Sequence, residues 1–292
     1  MSFSTLAAGV VNGFFLGGLY AITALGLALV FGVMQLVNVA HGELLILAAY
    51  LNITVSTMLG IDPLLAVLLI APLMFLIGYP LQQWVFNPLM REGAEAPLLA
   101  AFGLSIIGQN LFLLSWRADT RTLKTSYSEL GVDLLGIHVP LLYLVAFALA
   151  LVTFAGVQWF ITRTYLGRAI RAAAQDAPTA SVMGVNPGAV YAFTYGLGAA
   201  TAALGGALTA MIFSVVPAGG LPWLLKGFVV VVLGGMGSIR GALGAGLLLG
   251  AAEGLGAAIV GTGYRDMVGF LIFLVVLVVR PSGLFGRHGR FA

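Results

Sequence analysis

The chain has 292 residues, of which 61% are hydrophobic and only 8% charged, with a net charge of +3 and no cysteine. A soluble domain carries about 25% charged residues, so a mean hydropathy of +1.08 excludes a water-soluble fold, and the missing thiols exclude disulfides and thiolate metal sites. The small positive charge falls mainly in two loops, a distribution that points to membrane topology and away from nucleic-acid binding.

No polar stretch is long enough for a separate soluble domain, so residues 1–292 read as one all-α, polytopic membrane domain with room for about 8–10 spans. The start Met1-Ser2-Phe3-Ser4-Thr5 lacks the basic region of a cleaved signal peptide. The first apolar run, Leu6–Val37, is too long for a signal core and is expected to remain as an anchor, either tilted or broken. Then comes Asn38-Val39-Ala40-His41-Gly42-Glu43, the densest polar cluster near a membrane edge. It reads as a helix start, with Asn38 as N-cap and Glu43 at the positive end of the dipole, or as a hydrogen-bonding gate built on His41.

The second, third and fourth spans are expected at Leu44–Leu59, Leu64–Phe86 and Pro97–Trp116. His41, Asn52 and Ser56 share one face of the second, and Ser105 and Gln109 share one face of the fourth. Val139–Ile161 and Val190–Val215 follow, the latter with a stripe of Thr194, Gly198, Thr201, Gly205 and Thr209. Such stripes suit a pathway lining as well as hydrogen bonds between helices. Phe228–Gly237 is too short to cross straight and, with Gly234, Gly235 and Gly237 at its end, reads as a discontinuous or tilted helix. Gly241–Gly261 carries Glu253, the only acid well inside an expected helix and a candidate for transport. Met267–Val279 completes the set.

Small residues recur every four positions at Gly246, Gly250 and Gly254, at Gly198, Ala202 and Gly206, and at Gly13 and Gly17, a spacing that lets helix backbones approach closely in lipid. Gly18-Leu-Tyr-Ala-Ile-Thr-Ala is similar to Gly196-Leu-Gly-Ala-Ala-Thr-Ala, a hint of duplication. Arg91, Arg163, Arg168, Arg171, Arg240, Arg280, Arg287 and Arg290 fall on one side of the expected spans. Arg117, Arg121, Lys124, Lys226 and Arg265 fall on the other, so the 162–188 loop and the C-terminus are expected in the cytoplasm.

An enzyme is not expected. His41, His138 and His288 have no zinc-protease spacing. Gly235-Met-Gly-Ser-Ile-Arg-Gly is not a nucleophile elbow. Lys124 and Lys226, the only lysines, stand in no phosphate-binding loop, so ATP cannot be held by that motif. Any nucleotide energy has to come from a partner.

The segment Tyr165-Leu-Gly-Arg-Ala-Ile-Arg-Ala-Ala-Ala-Gln-Asp-Ala-Pro-Thr-Ala-Ser-Val-Met-Gly-Val-Asn-Pro reads as a helical elbow. Helix formers run through residues 167–176, Pro178 breaks them, and a second turn over Ala180–Met183 ends at Gly184. With the run Asn12-Gly-Phe-Phe-Leu-Gly-Gly-Leu-Tyr-Ala-Ile, the Asn38–Leu44 stretch, Leu233-Gly-Gly-Met-Gly-Ser-Ile, Tyr264-Arg-Asp and Arg280-Pro-Ser-Gly-Leu-Phe-Gly, it resembles the permeases of branched-chain amino-acid ABC transporters along essentially the whole chain. Arg240 departs from the family pattern, which usually has Pro after Gly-Ser-Ile.

The resemblance implies one of two membrane subunits, paired as a heterodimer, in a bacterial plasma-membrane importer. Two ATPase subunits would bind the ATP and Mg, and an extracytoplasmic binding protein would deliver substrate. It implies that Gly167, Arg168, Arg171, Ala174, Gln175, Asp176 and Gly184 belong to the segment that docks on an ATPase. The candidate substrate-pathway residues are Asn38, His41, Glu43, Asn52, Gln109, Thr194, Thr201 and Glu253. Urea and short-amide permeases share the His-Gly-Glu stretch and stay open as alternatives, as does an ion-coupled transporter with Glu253 as its ion site.

Overall fold

The first span has neither proline nor charge along its 32 residues, and it forms one unbroken helix, α1 (Phe3–Met34), about 48 Å long. The structure, a computed structural model, describes residues 3–93, 95–134 and 136–285; Met1, Ser2, Arg287, His288 and Arg290 lie outside the described residues. The break allowed for in the first run is not there. The helix stops at Met34 because Gln35 takes a left-handed conformation, with φ +53°.

The chain then turns back into the bundle. Residues 35–40 are not helical, and α2 (His41–Leu59) starts beside the middle third of α1, where His41 Nε2 lies 3.1 Å from the carbonyl oxygen of Thr23. Gly60, with φ +63°, closes α2. Asp62 caps α3 (Pro63–Pro80) by accepting from the Leu64 amide at 2.8 Å, with Pro63 in the first turn. Pro80 cannot donate to the turn before it, and a π-turn, Leu81–Phe86, follows before α4 (Asn87–Leu89). Then come α5 (Glu95–Trp116) and α6 (Leu141–Arg163), followed by the elbow α7 (Tyr165–Gln175) and α8 (Ala177–Val182). The second half is α9 (Pro187–Ile212), α10 (Gly220–Gly234), α11 (Ile239–Val260) and α12 (Arg265–Val279).

Among the described residues, eight helical segments are long and apolar enough to cross a membrane. The ninth element, α10, has 15 residues, or about 22 Å, short of the ~30 Å hydrocarbon core. It was expected at Phe228–Gly237 and instead begins eight residues earlier, because Lys226 does not end it: the lysine is paired inside the bundle. One element outside the helices was not expected. Gly131–Leu134 (β1) and Ile137–Pro140 (β2) pair antiparallel around Gly136, with φ +81°, and the hairpin rests on the start of α1, where Asn12 donates to the His138 carbonyl at 3.2 Å. At the same end Tyr127 donates to both Asp62 oxygens, and its burial, with that contact, pushes its hydroxyl up to about 12.

Two halves of the chain repeat this path in opposite directions. The long helices α1 and α9 run antiparallel, with Gly26 against the Gly198 carbonyl and Gly205 against Thr23. Each is followed by a non-helical return, 35–40 or 213–219, and then by a helix that starts inside the bundle, α2 or α10. The helix after that packs on the long helix of the other half: α11 on α1, and α3 on α9 through Gly78 and Gly196. At one constant offset the two stretches match at Phe15/Phe193, Gly18/Gly196, Leu19/Leu197, Ala21/Ala199, Thr23/Thr201, Ala24/Ala202, Val37/Val215, Ala40/Ala218 and Gly42/Gly220. The short duplication read in the sequence therefore extends through both returns, an inverted repeat of the kind found in transporters.

The glycine spacing is explained by the contact of α1 with α11. Gly9, Gly13 and Gly17 face the carbonyls of Gly254, Gly250 and Gly246, and a methyl on Gly13 would also lie 2.9 Å from the Gly254 Cα. Only backbone stands there, so nothing flexible can yield. Overpacking costs about 1–3 kcal/mol where side chains can adjust. Gly13→Val is expected to destabilise the purified protein by at least that much, read as a lower thermal midpoint. Gly103→Val, where nothing lies within 4 Å, serves as control, and equal midpoints would contradict the contact.

Candidate functional site

The structure gathers most of the expected pathway residues at the start of α2. Glu43 points its carboxylate at α5: Oε1 accepts from Ser105 Oγ at 3.1 Å and from Gln109 Nε2 at 2.9 Å. Its other oxygen, Oε2, is buried and has no hydrogen-bond partner. The residue as a whole is 5% exposed. On its remaining side lies the first residue of α10: a Cβ on Gly220 would collide with the Glu43 carboxylate, and one on Gly42 would collide with the Gly220 carbonyl. The absence of both side chains is what lets two helix starts from the two halves meet here.

His41 and Thr201 flank the same point on α1, each within 3 Å of where a Gly26 Cβ would stand. Asn38 is not the N-cap of α2. That position belongs to Ala40, which has no side-chain cap. Asn38 instead accepts from the Ala40 amide at 3.1 Å and donates across the bundle to the Tyr195 hydroxyl at 2.9 Å, tying the return segment to α9. Sequence reading missed Tyr195, although a tyrosine fully buried in a span needs a partner for its hydroxyl.

Asn52 and Thr194 stand apart from this group. Asn52 donates to the Pro63 carbonyl at 2.9 Å and accepts from Ser56, fastening α2 to α3. Thr194 donates to the Val190 carbonyl of its own helix at 2.8 Å, and Thr201 does the same to Gly198. Glu253 belongs to a second cluster. Lys226 Nζ donates to Glu253 Oε2 at 3.1 Å, to Asp266 Oδ1 at 2.7 Å and to the Tyr20 hydroxyl at 3.3 Å, and it stands 4.3 Å from the centre of the Tyr20 ring. Lys226 therefore lies in the bundle wall and not in a loop, so it drops out of the charge count for that side. The lysine side chain is 13% exposed and Glu253 only 2%, so each neutralises the other where water cannot.

At the opposite end from the hairpin, α7 folds back under the bundle. Thr164 caps it by accepting from the Gly167 amide at 3.0 Å. Gly167 sits against the Phe160 and Ile161 carbonyls, too tightly for any side chain. Ala169, Ile170 and Ala173 pack on Val190 in the first turn of α9. The turn falls at Asp176, which caps α8 through Thr179, so Pro178 opens the second helix instead of breaking the first. Bonds from the Thr179 hydroxyl and amide hold the Asp176 carboxyl below the usual carboxylate range. Arg168, Arg171, Gln175, Asp176 and Gly184 are exposed, Ala174 is half-buried and Gly167 is buried. Beside them Tyr165, Val182 and Met183 are 73%, 87% and 80% exposed, an apolar surface at the tip of a polar knob.

Removing one partner of a buried ion pair costs about 3–5 kcal/mol, because the other charge is stranded. Lys226→Met is expected to lower the thermal midpoint strongly, and adding Glu253→Gln to recover most of that loss. Additive losses in the double variant would contradict the pairing.

The family model described as branched-chain amino acid transport system / permease component matches residues 9–279. The high-affinity branched-chain amino acid transport system permease protein BraD of Pseudomonas aeruginosa is 34% identical over 95% of both chains. LivH of Escherichia coli, named likewise, is 32% identical over 94% of both. The probable branched-chain amino acid transport permease protein LivH of Methanocaldococcus jannaschii is 27% identical over 92% of this chain and 89% of its own. No solved structure matches. A multi-pass helical bundle matched along almost its whole length in this way belongs to the branched-chain amino acid transport permease family.

Proposed function

We propose that the chain is the membrane-spanning subunit of an ATP-driven importer that carries leucine, isoleucine and valine across the bacterial plasma membrane. The observation that carries this reading is the match along almost the full length of permeases named for that transport. The chain works with a second permease subunit, two ATPase subunits and an extracytoplasmic binding protein. It performs no chemistry itself; ATP and Mg are held by the ATPases. The elbow end faces the cytoplasm and the hairpin end faces outward, in keeping with Arg163, Arg168 and Arg171 at the elbow.

The elbow has the form of a transmission part. Its buried face is fastened to α6 and to the first turn of α9, and its outer face offers Arg168, Arg171, Gln175, Val182 and Met183 to a soluble partner. Displacement of α7 moves α9, and α9 carries Tyr195 and Thr201 to the Asn38–Glu43 site. ATP binding on the partner thus reaches the pathway through packed helices with no flexible link between.

Arg171→Glu reverses a charge and Gln175→Glu adds a negative one on this outer face without touching the core. In proteoliposomes holding the full complex, each is expected to cut ATP-driven leucine uptake at least tenfold while membrane insertion is unchanged. Wild-type uptake by both variants would sink the assignment of the elbow.

A further inference from the structure

Of the two acids buried in the bundle, Glu253 has a cation beside it and Glu43 does not. Lys226 answers Glu253 at 3.1 Å, whereas no described ion pair includes Glu43. A carboxylate out of water without a cation is costly. The two neutral donors on Oε1, Ser105 and Gln109, leave Oε2 buried and unpartnered. Nor is the place arbitrary. Glu43 lies in the first turn of α2 and against the first residue of α10, the point where the two halves meet.

The first-turn amides of α10 are those of Gly220 and Leu221, since Pro222 has none, and no intrahelical carbonyl can serve them. They carry partial positive charge at the helix end whose first residue, Gly220, stands against the Glu43 carboxylate. A negative oxygen and a set of amide donors a few ångströms apart match the two ends of a zwitterion, whose ammonium and carboxylate are joined through one carbon.

Resting on the proposed amino-acid transport, we infer that Glu43 Oε2 receives the α-ammonium of the substrate in transit, while the α10 N-terminus receives its carboxylate. Glu43 is then the residue that sets the requirement for a charged amino group. A neutral amide could also donate to Glu43, so the distinguishing property is charge. Glu43→Gln keeps the shape and an oxygen for Ser105 and Gln109 but removes the negative charge.

In proteoliposomes with the complete importer, Glu43→Gln is expected to lose leucine uptake at least tenfold, while ATP hydrolysis stimulated by the binding protein persists, and Glu43→Asp is expected to keep part of it. Glu43→Gln with wild-type uptake overturns the inference. A second measurement needs no variant: binding of radiolabelled leucine to the wild-type, nucleotide-free complex without the binding protein. 3-Methylbutylamine, which keeps the ammonium, is expected to compete, and 4-methylpentanoate, which lacks it, to compete at least tenfold less well. Equal competition, or no saturable leucine binding, overturns the inference. A wild-type complex that takes up no leucine fails the transport reading itself, a separate outcome.

Discussion

The bundle depends on backbone touching backbone. In lipid there is no water to drive apolar surfaces together, so helices associate through close packing, and a chain with 40 glycines carries this to its limit. Gly9, Gly13 and Gly17 meet Gly254, Gly250 and Gly246, and Gly26 meets Gly198. The same constraint operates at Gly42 against Gly220, where the consequence is chemical as well as structural. Without side chains at those two positions, α2 and α10 can begin inside the bundle, with the Glu43 carboxylate against the first residue of α10.

That arrangement explains why the polar groups are distributed as they are. Charges in the interior are either cancelled locally or placed at the meeting point. Lys226, Glu253, Asp266 and Tyr20 form a paired knot that ties α10 to α11, α12 and α1. It holds one half-helix in position while the other, α2, is held by Asn38 on Tyr195 and by Asn52 on Pro63. Glu43 keeps one buried carboxylate oxygen without a hydrogen-bond partner, between two helix starts that these ties keep in register. The elbow is attached to α9, the helix that touches this site from the other side.

Much of this was legible from the residues. Apolar runs place the spans because each must satisfy its own backbone in lipid. The elbow shows itself through helix formers closed by Gly184, which takes φ +85°. The paired faces of Ser105 with Gln109 and of His41 with Ser56 are consequences of helical spacing. What could not be read was who meets whom. Ser105 and Gln109 share the acceptor Glu43 across 62 and 66 residues of sequence, and periodicity carries no such information. Lys226 misled for a physical reason: a charge marks a loop only when it is unpaired, and its partners lie 27 and 40 residues away. Asn38 had the right residue type for a cap but sits two positions early, bonded across the bundle. The inverted repeat was visible as one short echo, and became clear only when both returns were seen to re-enter the bundle.

The most direct measurement is uptake of radiolabelled leucine and urea into proteoliposomes holding this chain, its partner permease, the ATPases and the binding protein, with and without ATP on the ATPase side. Leucine uptake that needs both ATP and the binding protein, with no urea uptake, is the expected result. Uptake by this chain alone, driven by an ion gradient and indifferent to ATP, would contradict the account.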